Sequence, residues 1–419
     1  MDKMILGEKA AFSTDCNETG LNNNVFVCGG SGCGKTLSIT EPRLLETKQS
    51  SLIVTVTKRR IVHKYKPVFE QRGYKVEDLN YVNPLESSVA YDPLQYVASY
   101  SDIRFLSESI VMANPRKEKS TGADPYWDEA AISLCCAEIA YVLMTDENAT
   151  LADVLAFHDR ISFWDENGQI ATSVDKKFDR LEDRDPTCYA VSCWKSFRQL
   201  PIRTAGCVFG ALNTTIDTIF SPELREMIAT KRQVDFEKLA TEKTVLFVST
   251  SAVNPALNCF INMFYAQAFK SLFEYAESRP AGWLPIPVHV LCDDFATGSR
   301  ILNFPEYISI FREKRISVTL LVQSESQLES MYGPNDATTI INNCDTYLYM
   351  GGMDLKTGKS ISERLNVPLD EVLYMPIGRE YIFRRGQKPV VTRRYDIMWN
   401  ELYLKITEEY ESKIRKAER

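Results

Sequence analysis

The stretch Val25 to Thr36, VFVCGGSGCGKT, contains a short apolar strand, a glycine-rich loop and the start of a helix in consecutive residues. Gly29, four intervening residues and then Gly34, Lys35 and Thr36 match the GxxxxGK[ST] pattern of a phosphate-binding loop. In such a loop, backbone N–H groups and the positive end of the next helix dipole face phosphate oxygens. Lys35 would reach the β- and γ-phosphates, and the Thr36 hydroxyl would ligate Mg²⁺. We therefore predict a site for ATP and Mg²⁺.

The residues around this loop favour the same interpretation. A strand at Val25–Val27 precedes the loop, and a helix at Leu37–Thr40 follows it, which Pro42 would bend or end. Gly30 and Gly32 are further positions where a Cβ would block a close approach of the backbone to phosphate. The alternative is a flexible glycine turn that matches the pattern by chance, and the flanking strand and helix argue against it. The predicted nucleotide-binding residues are Gly29, Gly30, Ser31, Gly32, Cys33, Gly34, Lys35 and Thr36.

The composition of the 419 residues is ordinary for a soluble globular protein, with 44% hydrophobic and 25% charged residues. Because the net charge is -7, a nucleic acid would have to bind a local basic patch rather than a generally basic surface. The 11 cysteines and three histidines show no zinc-binding spacing, which favours reduced thiols in a cytosolic protein. We expect no signal peptide and no membrane span, since no run of about 18 apolar residues occurs.

The order of the predicted elements indicates an α/β fold. Strands are predicted at residues 51–57, 74–82, 243–250, 288–292, 317–323 and 345–350. Strands that alternate with helices imply a mostly parallel sheet covered on both faces. From about residue 100 to 235, apolar positions recur at helical spacing, which predicts an all-helical insertion. We therefore predict a nucleotide-binding domain from residues 1–98 and 236–400 and an inserted all-α domain from 99–235. Residues 401–419 are predicted to form a charged helical tail, by default a solvated helix on the protein surface.

Two adjacent carboxylates follow one of the predicted strands. Asp293 and Asp294 come directly after VHVLC, Val288–Cys292. Mg²⁺ prefers oxygen ligands and must bridge the β- and γ-phosphates, so Asp293 is the predicted metal ligand together with Thr36. Asp294 would then act as the general base or orient the attacking water. The alternative is that the two acids only cap the next loop.

Gln323 and Arg312 complete the predicted catalytic set. Gln323 ends a strand and would stand at the carboxyl edge of the sheet, where ligands gather in open α/β folds. It could sense the γ-phosphate or orient water, although plain polarity at a strand end is a serious alternative. Arg312 precedes the same strand on a predicted helix end. A solvated surface arginine is the default interpretation, but a ring-shaped oligomer would let it reach a neighbour's nucleotide.

With these residues placed, the chain resembles the type IV secretion coupling proteins, the TraG-like and TraD-like ATPases of conjugation. The resemblance covers nearly the whole chain. It is carried by LNNNVFVCGGSGCGKT (21–36), GYKVEDLNYVNPLESSVAYDPLQYV (73–97), DPYWDEA (124–130), LCDDFATGSRILNFPEYISIFREKRISVTLLVQSESQLESMYG (291–333) and INNCDTYLYMGGMDLKTGKSISERL (341–365). So many ordered segments are far more specific than a phosphate-binding loop alone.

The resemblance implies a RecA-like P-loop NTPase with an inserted all-α domain, assembled as a homo-hexamer around a DNA channel. On this basis Lys35 and Thr36 bind MgATP, Asp293 and Asp294 form the acidic motif, Gln323 the glutamine motif, and Arg312 acts in trans. Such proteins link relaxase-bound DNA to the secretion channel. The chain would then work in the cytoplasm, at the cytoplasmic face of the inner or plasma membrane, held there by other segments or by partners.

The chain departs from the family pattern in three places. Where family members usually read T-D-P-K-G-E, this chain reads TVTKRR, residues 55–60. Asp294 stands where Glu is usual, and its shorter side chain could misplace the attacking water and slow hydrolysis. The membrane helices common at the N-terminus of the family are missing, as expected of a truncated portion or of a short relative. These departures put turnover and membrane docking in doubt and leave nucleotide binding intact.

The leading hypothesis is an ATP-driven translocase that moves single-stranded DNA, with or without a bound relaxase, into a secretion channel. The alternative is a nucleotide-binding recruitment adaptor for relaxase or effector proteins, with weak or no hydrolysis. A nucleotide kinase is less well supported, because the helical insertion exceeds an ordinary substrate lid. In the translocase, several basic residues could contact DNA phosphates, although a solvated role is the default for each of them. These are Lys58, Arg59, Arg60, Arg384, Arg385, Arg393 and Arg394.

Overall fold

The computed structural model describes residues 2–112, 125–166, 169–250, 256–295 and 300–417. Two segments that carry the family resemblance therefore extend outside the described residues, at Asp124 and at residues 296–299. The chain divides into two compact units. The first is formed by Met1–Asp78, Asp235–Thr250 and Ala268–Arg419, and the second by Leu79–Val234 and Ser251–Gln267.

The strands, numbered in chain order, are β1 (Lys3–Gly7), β2 (Ala10–Ser13), β3 (Val25–Cys28), β4 (Ser51–Val56), β5 (Lys75–Asn80), β6 (Phe163–Glu166), β7 (Gln169–Thr172), β8 (Thr244–Ser249), β9 (Val288–Cys292), β10 (Ile316–Val322), β11 (Thr346–Tyr349), β12 (Arg379–Arg384) and β13 (Val390–Arg393). Each strand predicted from the sequence is present, and its ends lie within two residues of the prediction. The α/β fold class is thus confirmed.

The helices are α1 (Cys16–Thr19), α2 (Glu41–Glu46), α3 (Arg59–Gln71), α4 (Tyr100–Met112), α5 (Pro125–Thr145), α6 (Leu151–His158), α7 (Asp175–Arg184), α8 (Tyr189–Arg198), α9 (Ile202–Ile219), α10 (Pro222–Thr230), α11 (Phe236–Thr241), α12 (Ala256–Ser278), α13 (Phe304–Lys314), α14 (Glu325–Asn342), α15 (Leu355–Leu365), α16 (Leu369–Leu373) and α17 (Glu401–Ala417). Among those that lie in the described residues, none has both the length and the apolar character needed to cross a membrane.

The large sheet places the phosphate-binding loop near its centre. Its strand order is β13-β12-β11-β3-β10-β9-β4-β8-β5. Strand β3, which leads into the loop, pairs in parallel with β10 on one side and with β11 on the other. Strands β3 and β9 are buried along their whole length, which explains their uninterrupted apolar sequences. The loops after β3, β9 and β10 therefore meet at one edge, the carboxyl edge of these parallel strands.

Two β-hairpins of the first unit were not predicted. Strands β1 and β2 pair with each other in antiparallel register, and β12 and β13 extend the large sheet in antiparallel fashion beyond β11. Strand β13 is a short edge strand, and its Val390 and Val391 side chains are 42% and 54% exposed. Without a buried face, such a strand has no alternation of apolar and polar residues for sequence reasoning to detect.

The C-terminal helix α17 is anchored on one side, in contrast to the expected solvated tail. Tyr403 and Ile406 are buried in the core of the first unit. The Tyr403 ring lies under the Lys64 ammonium of α3, with 3.4 Å between Nζ and the ring centroid. Lys64 in turn contacts the buried Glu41 carboxylate at 3.2 Å. Glu41 begins α2, which continues the helical segment that starts at Thr36 of the phosphate-binding loop, so the tail helix packs against the residues that follow this loop.

The second unit is mostly helical and adds one β-hairpin, β6–β7, that the sequence did not predict. It begins before the predicted boundary at residue 99, because Ala90 pairs with Gln233 and Asp92 accepts hydrogen bonds from the Leu151 amide. Within its core, a fully buried pair joins α5 to α6, with 2.9 Å between His158 Nδ1 and Glu138 Oε1.

Glu380, in β12, is a buried carboxyl group that makes the stability of the first unit depend on pH. It is fully buried, and in the described residues neither of its oxygens has a hydrogen-bond partner. Burial raises its pKa to about 8, and Arg394 opposes this rise only partly. The folded state thus favours the protonated form, so stability is greatest below about pH 4.5, the pKa of an exposed Glu. It falls as the pH rises toward 8 and then levels off.

We expect Glu380→Gln to remove this loss of stability, because the amide cannot ionise. Between pH 5 and 9 the wild type should lose on the order of 4 kcal/mol that the variant retains. Urea unfolding of both proteins across this range measures the difference, with exposed Glu363→Gln as the matched control. Parallel pH profiles for wild type and Glu380→Gln would contradict the assignment.

Candidate nucleotide site

The phosphate-binding loop is tied to the strands on both sides of β3. The Gly29 N–H donates to the Val322 carbonyl at 3.1 Å, and the Gly30 N–H donates to the Gly351 carbonyl at 2.8 Å. A Cβ on Gly29 would lie 2.7 Å from Cys33 Sγ and 2.9 Å from Met350 Cβ, which leaves room for glycine alone. The start of the loop is therefore fixed by its neighbours, and its later amides remain for a ligand.

At two later positions of the loop, glycine is needed because of the backbone conformation and not because neighbouring atoms leave no room for a side chain. Gly32 and Gly34 have φ of 74° and 88°, in the left-handed region that other residues rarely adopt. Protein atoms leave space beside both Gly30 and Gly32, since the nearest atom to a Cβ on Gly30 is 3.6 Å away and none lies within 4 Å of one on Gly32. That a Cβ at these positions would block the approach of phosphate stays a prediction. In the described residues, the Gly32 and Gly34 N–H groups have no hydrogen-bond acceptor.

Lys35 and Thr36 follow at the start of the next helical segment. Lys35 Nζ donates to the Gly29 carbonyl at 2.5 Å and to the Gly30 carbonyl at 3.3 Å, so the ammonium group lies against the loop. Thr36 begins a π-helical turn, Thr36–Thr40, and α2 continues directly from it. Pro42 is the second residue of α2, and helical backbone continues on both sides of it, so it does not end the helical segment.

Asp293 lies beside the loop, as predicted from the strand order. Thr36 Oγ1 donates to Asp293 Oδ2 at 3.4 Å, although the two residues are 257 positions apart. The pKa of Asp293 is raised to about 6, chiefly by burial and also by Asp294, while Lys35, Thr36 and Lys58 act to lower it. A desolvated carboxylate facing a hydroxyl is a set of hard oxygen donors that suits Mg²⁺. The residues present therefore fit a magnesium ion.

Asp294 takes a left-handed backbone conformation, with φ of 56°. Aspartate tolerates this region better than most residues, and the turn that it makes ends β9 at the carboxyl edge. The next residue holds the turn in place, because the Phe295 N–H donates to the Leu321 carbonyl of β10 at 2.9 Å. Asp294 thus lies next to the metal-ligand candidate Asp293, in a defined backbone position.

Gln323 follows β10 directly and is exposed at the same edge. Val322, the residue before it, pairs with Cys28 of β3, so Gln323 lies beside the first residue of the loop. Its N–H donates to Gln327 Oε1 at 2.9 Å, which fixes the backbone where β10 passes into α14. The structure therefore brings Lys35, Thr36, Asp293, Asp294 and Gln323 to one edge of the sheet.

Arg312 is not part of this group. It lies in the last turn of α13, just before β10, whereas the loop meets the far end of that strand. The seven residues of β10 separate the two ends by about 20 Å. Arg312 instead lines a cavity of about 1190 Å³ at the amino edge, together with Asp15, Lys243 and Arg315. Within one chain, Arg312 does not reach the phosphate-binding loop.

Four of the basic residues considered for DNA contact have partners within the first unit. Arg59 forms a two-pronged ion pair with Asp78, at 2.7 Å for both nitrogens. Arg384 is buried over the Phe12 ring at 3.9 Å, and Arg385 contacts the Asp345 carboxylate at 3.2 Å. Arg394 donates to the Met350 carbonyl at 2.8 Å. Lys58, Arg60 and Arg393 are exposed and stay available for a phosphate backbone.

Lys58 and Arg394 were considered from the sequence only as possible DNA contacts, and their position near the loop was not predicted. Lys58 lies close enough to Asp293 to lower the pKa of that carboxyl group, and its position just after β4 was the signal that could have revealed it. Arg394 lies beside Gly34, with 3.7 Å between its Nη1 and the position of a Cβ on that glycine. No sequence motif marks Arg394. It reaches the loop through an edge hairpin that was not predicted, so its position could not be foreseen.

A family model described as type IV secretory system conjugative DNA transfer matches residues 3–366 of the chain. No curated protein matches it in sequence. Among solved structures, the plasmid coupling protein TrwB in complex with the ATP analogue ADPNP matches with a TM-score of 0.64 and 16% identity, over 89% of this chain and 85% of that one. TrwB in complex with ADP and Mg²⁺ gives the same values.

A second protein shows the same fold. VirB4 of Thermoanaerobacter pseudethanolicus matches with a TM-score of 0.54 and 12% identity, over 94% of this chain and 96% of that one. At these identities the structural matches establish the fold. The family itself follows from the match to the family model, which spans most of the chain.

Proposed function

This chain belongs to the type IV secretory system conjugative DNA transfer family, and we propose that it hydrolyses ATP to move single-stranded DNA toward a secretion channel. The observation that carries the proposal is the 3.4 Å contact between Thr36 Oγ1 and Asp293 Oδ2. It joins the phosphate-binding loop to the carboxylate at the end of β9, as a nucleotide site with a metal requires. TrwB, which shares the fold, was solved with ADPNP and with ADP and Mg²⁺, which supports ATP and Mg²⁺ as the ligands here.

The residues of the loop would hold the triphosphate. The N–H groups of Gly32 and Gly34 are directed to phosphate oxygens by the left-handed glycine backbone, and the helix that begins at Thr36 adds its positive dipole end. Lys35 moves from the Gly29 and Gly30 carbonyls to the β- and γ-phosphate oxygens. A magnesium ion held by Thr36 and Asp293 would neutralise the charge that builds up on those oxygens.

Asp294 and Gln323 would deprotonate and orient the attacking water. Both follow strands that end at the carboxyl edge, and β9 and β10 pair directly, so the two side chains flank the same space. Asp294 accepts a proton from the water, and the Gln323 amide orients the water in line with the γ-phosphate. The shorter reach of Asp294, compared with the glutamate usual in the family, lowers the rate of this step without removing it.

Arg312 would complete the site of a neighbouring copy. Because it lies about 20 Å from the loop of its own chain, it can contribute to catalysis only in trans. A head-to-tail ring that places the amino edge of one copy against the carboxyl edge of the next provides this arrangement. We therefore propose a homo-hexamer as the active form, with relaxase and secretion-channel proteins as partners at the cytoplasmic face of the membrane.

Single-stranded DNA is expected to stimulate ATP hydrolysis severalfold at low salt, and the stimulation should fade as salt rises, because phosphate contacts are lost to competing ions. Steady-state ATPase assays with and without an oligonucleotide, across a salt series, measure this effect. Lys35→Ala is the background control, since it removes the cation that reaches the β- and γ-phosphates. If the wild type binds nucleotide but DNA neither binds nor stimulates turnover at low salt, the translocase is excluded and the recruitment adaptor takes its place.

A further inference from the structure

The edge hairpin β12–β13 carries an arginine to the phosphate-binding loop of its own chain. Arg394 follows β13 directly, and its N–H donates to the Gly378 carbonyl at 2.8 Å, which fixes its backbone. Its Nη2 donates to the Met350 carbonyl, also at 2.8 Å. Met350 follows β11, the strand that pairs with β3, so the guanidinium group is held at the carboxyl edge next to the loop.

The second terminal nitrogen of the guanidinium group, Nη1, lies beside the loop. Arg394 Nη1 lies 3.7 Å from the position that a Cβ of Gly34 would occupy, while the Gly34 N–H has no acceptor in the described part of the chain. Arg394 Nε is buried and, among the residues that the structure describes, it has no hydrogen-bond partner. One donor nitrogen of this arginine, Nη1, thus lies near a glycine whose backbone amide lacks an acceptor in the described residues.

The charge of this arginine has no partner at contact distance. In the part of the chain that the structure describes, Arg394 forms no ion pair within 4.0 Å. Burial raises the pKa of the nearby Glu380 carboxyl to about 8, which favours its protonated form at neutral pH and weakens its compensation of the guanidinium charge. A positive group that is fixed by one backbone carbonyl and has a further nitrogen, Nη1, beside a glycine loop is suited to an anionic oxygen ligand.

We propose that Arg394 binds the α- or β-phosphate of the nucleotide held by the loop of the same chain. This inference rests on the nucleotide site of the proposed function and adds a cis-acting arginine to the trans-acting Arg312. Gly34 and the following residues belong to the part of the loop that cradles the α- and β-phosphates, whereas the γ-phosphate lies toward Asp293. Arg394 therefore recognises ADP and ATP equally, and it couples the edge hairpin to nucleotide occupancy.

The test is the affinity of the full chain for ADP and for a non-hydrolysable ATP analogue, measured by calorimetry at fixed salt and Mg²⁺. Arg394→Gln should lower the affinity for both ligands by roughly tenfold to a hundredfold. This is the loss expected when a charge-assisted hydrogen bond to phosphate is removed. The matched control is Arg393→Gln, which removes the same charge from an exposed neighbour and should leave both affinities within about twofold of wild type.

A second measurement needs no variant. In the wild type, ADP should protect Arg394 from an arginine-specific dicarbonyl reagent, as read by peptide mass spectrometry, while Arg393 continues to react. Unchanged ADP affinity in Arg394→Gln, a loss confined to the ATP analogue, or labelling of Arg394 that ADP does not slow would each overturn the proposal. A wild-type chain that binds neither nucleotide would instead refute the proposed function itself.

Discussion

Asp293→Asn is expected to lower the ATPase rate by roughly 10³-fold, about 4 kcal/mol in the activation barrier, because it removes the only carboxylate that contacts Thr36 in the described residues. The amide keeps the shape of the side chain and its contact with the Thr36 hydroxyl, but it is a far weaker ligand for Mg²⁺. Turnover in the presence of Mg²⁺ is the first measurement. The second is the dependence of ADP affinity on Mg²⁺, which should disappear in the variant.

The same substitution should not destabilise the protein. Burial raises the pKa of Asp293, so the folded chain already disfavours its charged form at neutral pH. The neutral asparagine removes this cost, and we expect the thermal midpoint without nucleotide to equal or exceed that of the wild type. Asp370→Asn, at an exposed position on α16, is the matched control and should change neither rate nor metal dependence. Wild-type turnover in Asp293→Asn would show that the metal is held elsewhere.

The residues of the proposed nucleotide site could be grouped from the sequence because they follow continuous apolar strands. Strands β3, β9 and β10 are buried in a parallel sheet, so their residues form apolar runs that stand out without any structure. The rule that ligands gather at the carboxyl ends of parallel strands then places Asp293 beside the loop. The observed contact with Thr36 agrees with this expectation.

The parts that escaped prediction depend on tertiary contacts. Arg394 reaches the loop through an edge hairpin whose exposed valines give no periodic signal, and only pairing with β11 and β12 brings it there. The buried face of α17 is equally hidden, because it is a cation–ring contact between Tyr403 and Lys64 in an otherwise charged helix. Local sequence fixes neither feature, since each partner lies far away along the chain.

The TVTKRR segment, a departure from the family pattern, has a structural explanation. Arg59 is held by the Asp78 carboxylate of β5 and by the Ser249 hydroxyl of β8, each at 2.7 Å, so it ties the start of α3 to these two strands. Lys58 faces Asp293 closely enough to lower its pKa. The segment therefore combines a structural ion pair with a cation near Asp293, the proposed metal ligand.

The proposed role of Arg312 leads to a test by mixing two inactive variants. Arg312→Ala should reduce turnover by about 10³-fold, as expected for an arginine that stabilises the transition state of a neighbour's phosphoryl group. Lys35→Ala should be at least as inactive, but its Arg312 is intact. In mixed rings, an Arg312→Ala copy keeps its own loop and receives Arg312 from an adjacent Lys35→Ala copy. For an equal mixture that exchanges subunits at random, about a quarter of the sites should recover.

The control mixture combines Lys35→Ala with Asp293→Asn. Both changes remove residues that act on the nucleotide bound to their own chain, because Lys35 and Asp293 lie at the same carboxyl edge. No copy in such a ring has an intact loop and metal ligand, so the mixture should stay inactive. Recovery in the first mixture and none in the second is the result that only an arginine acting in trans produces. If the first mixture is no more active than its components, Arg312 does not act on a neighbour, and the cavity at the amino edge needs another explanation.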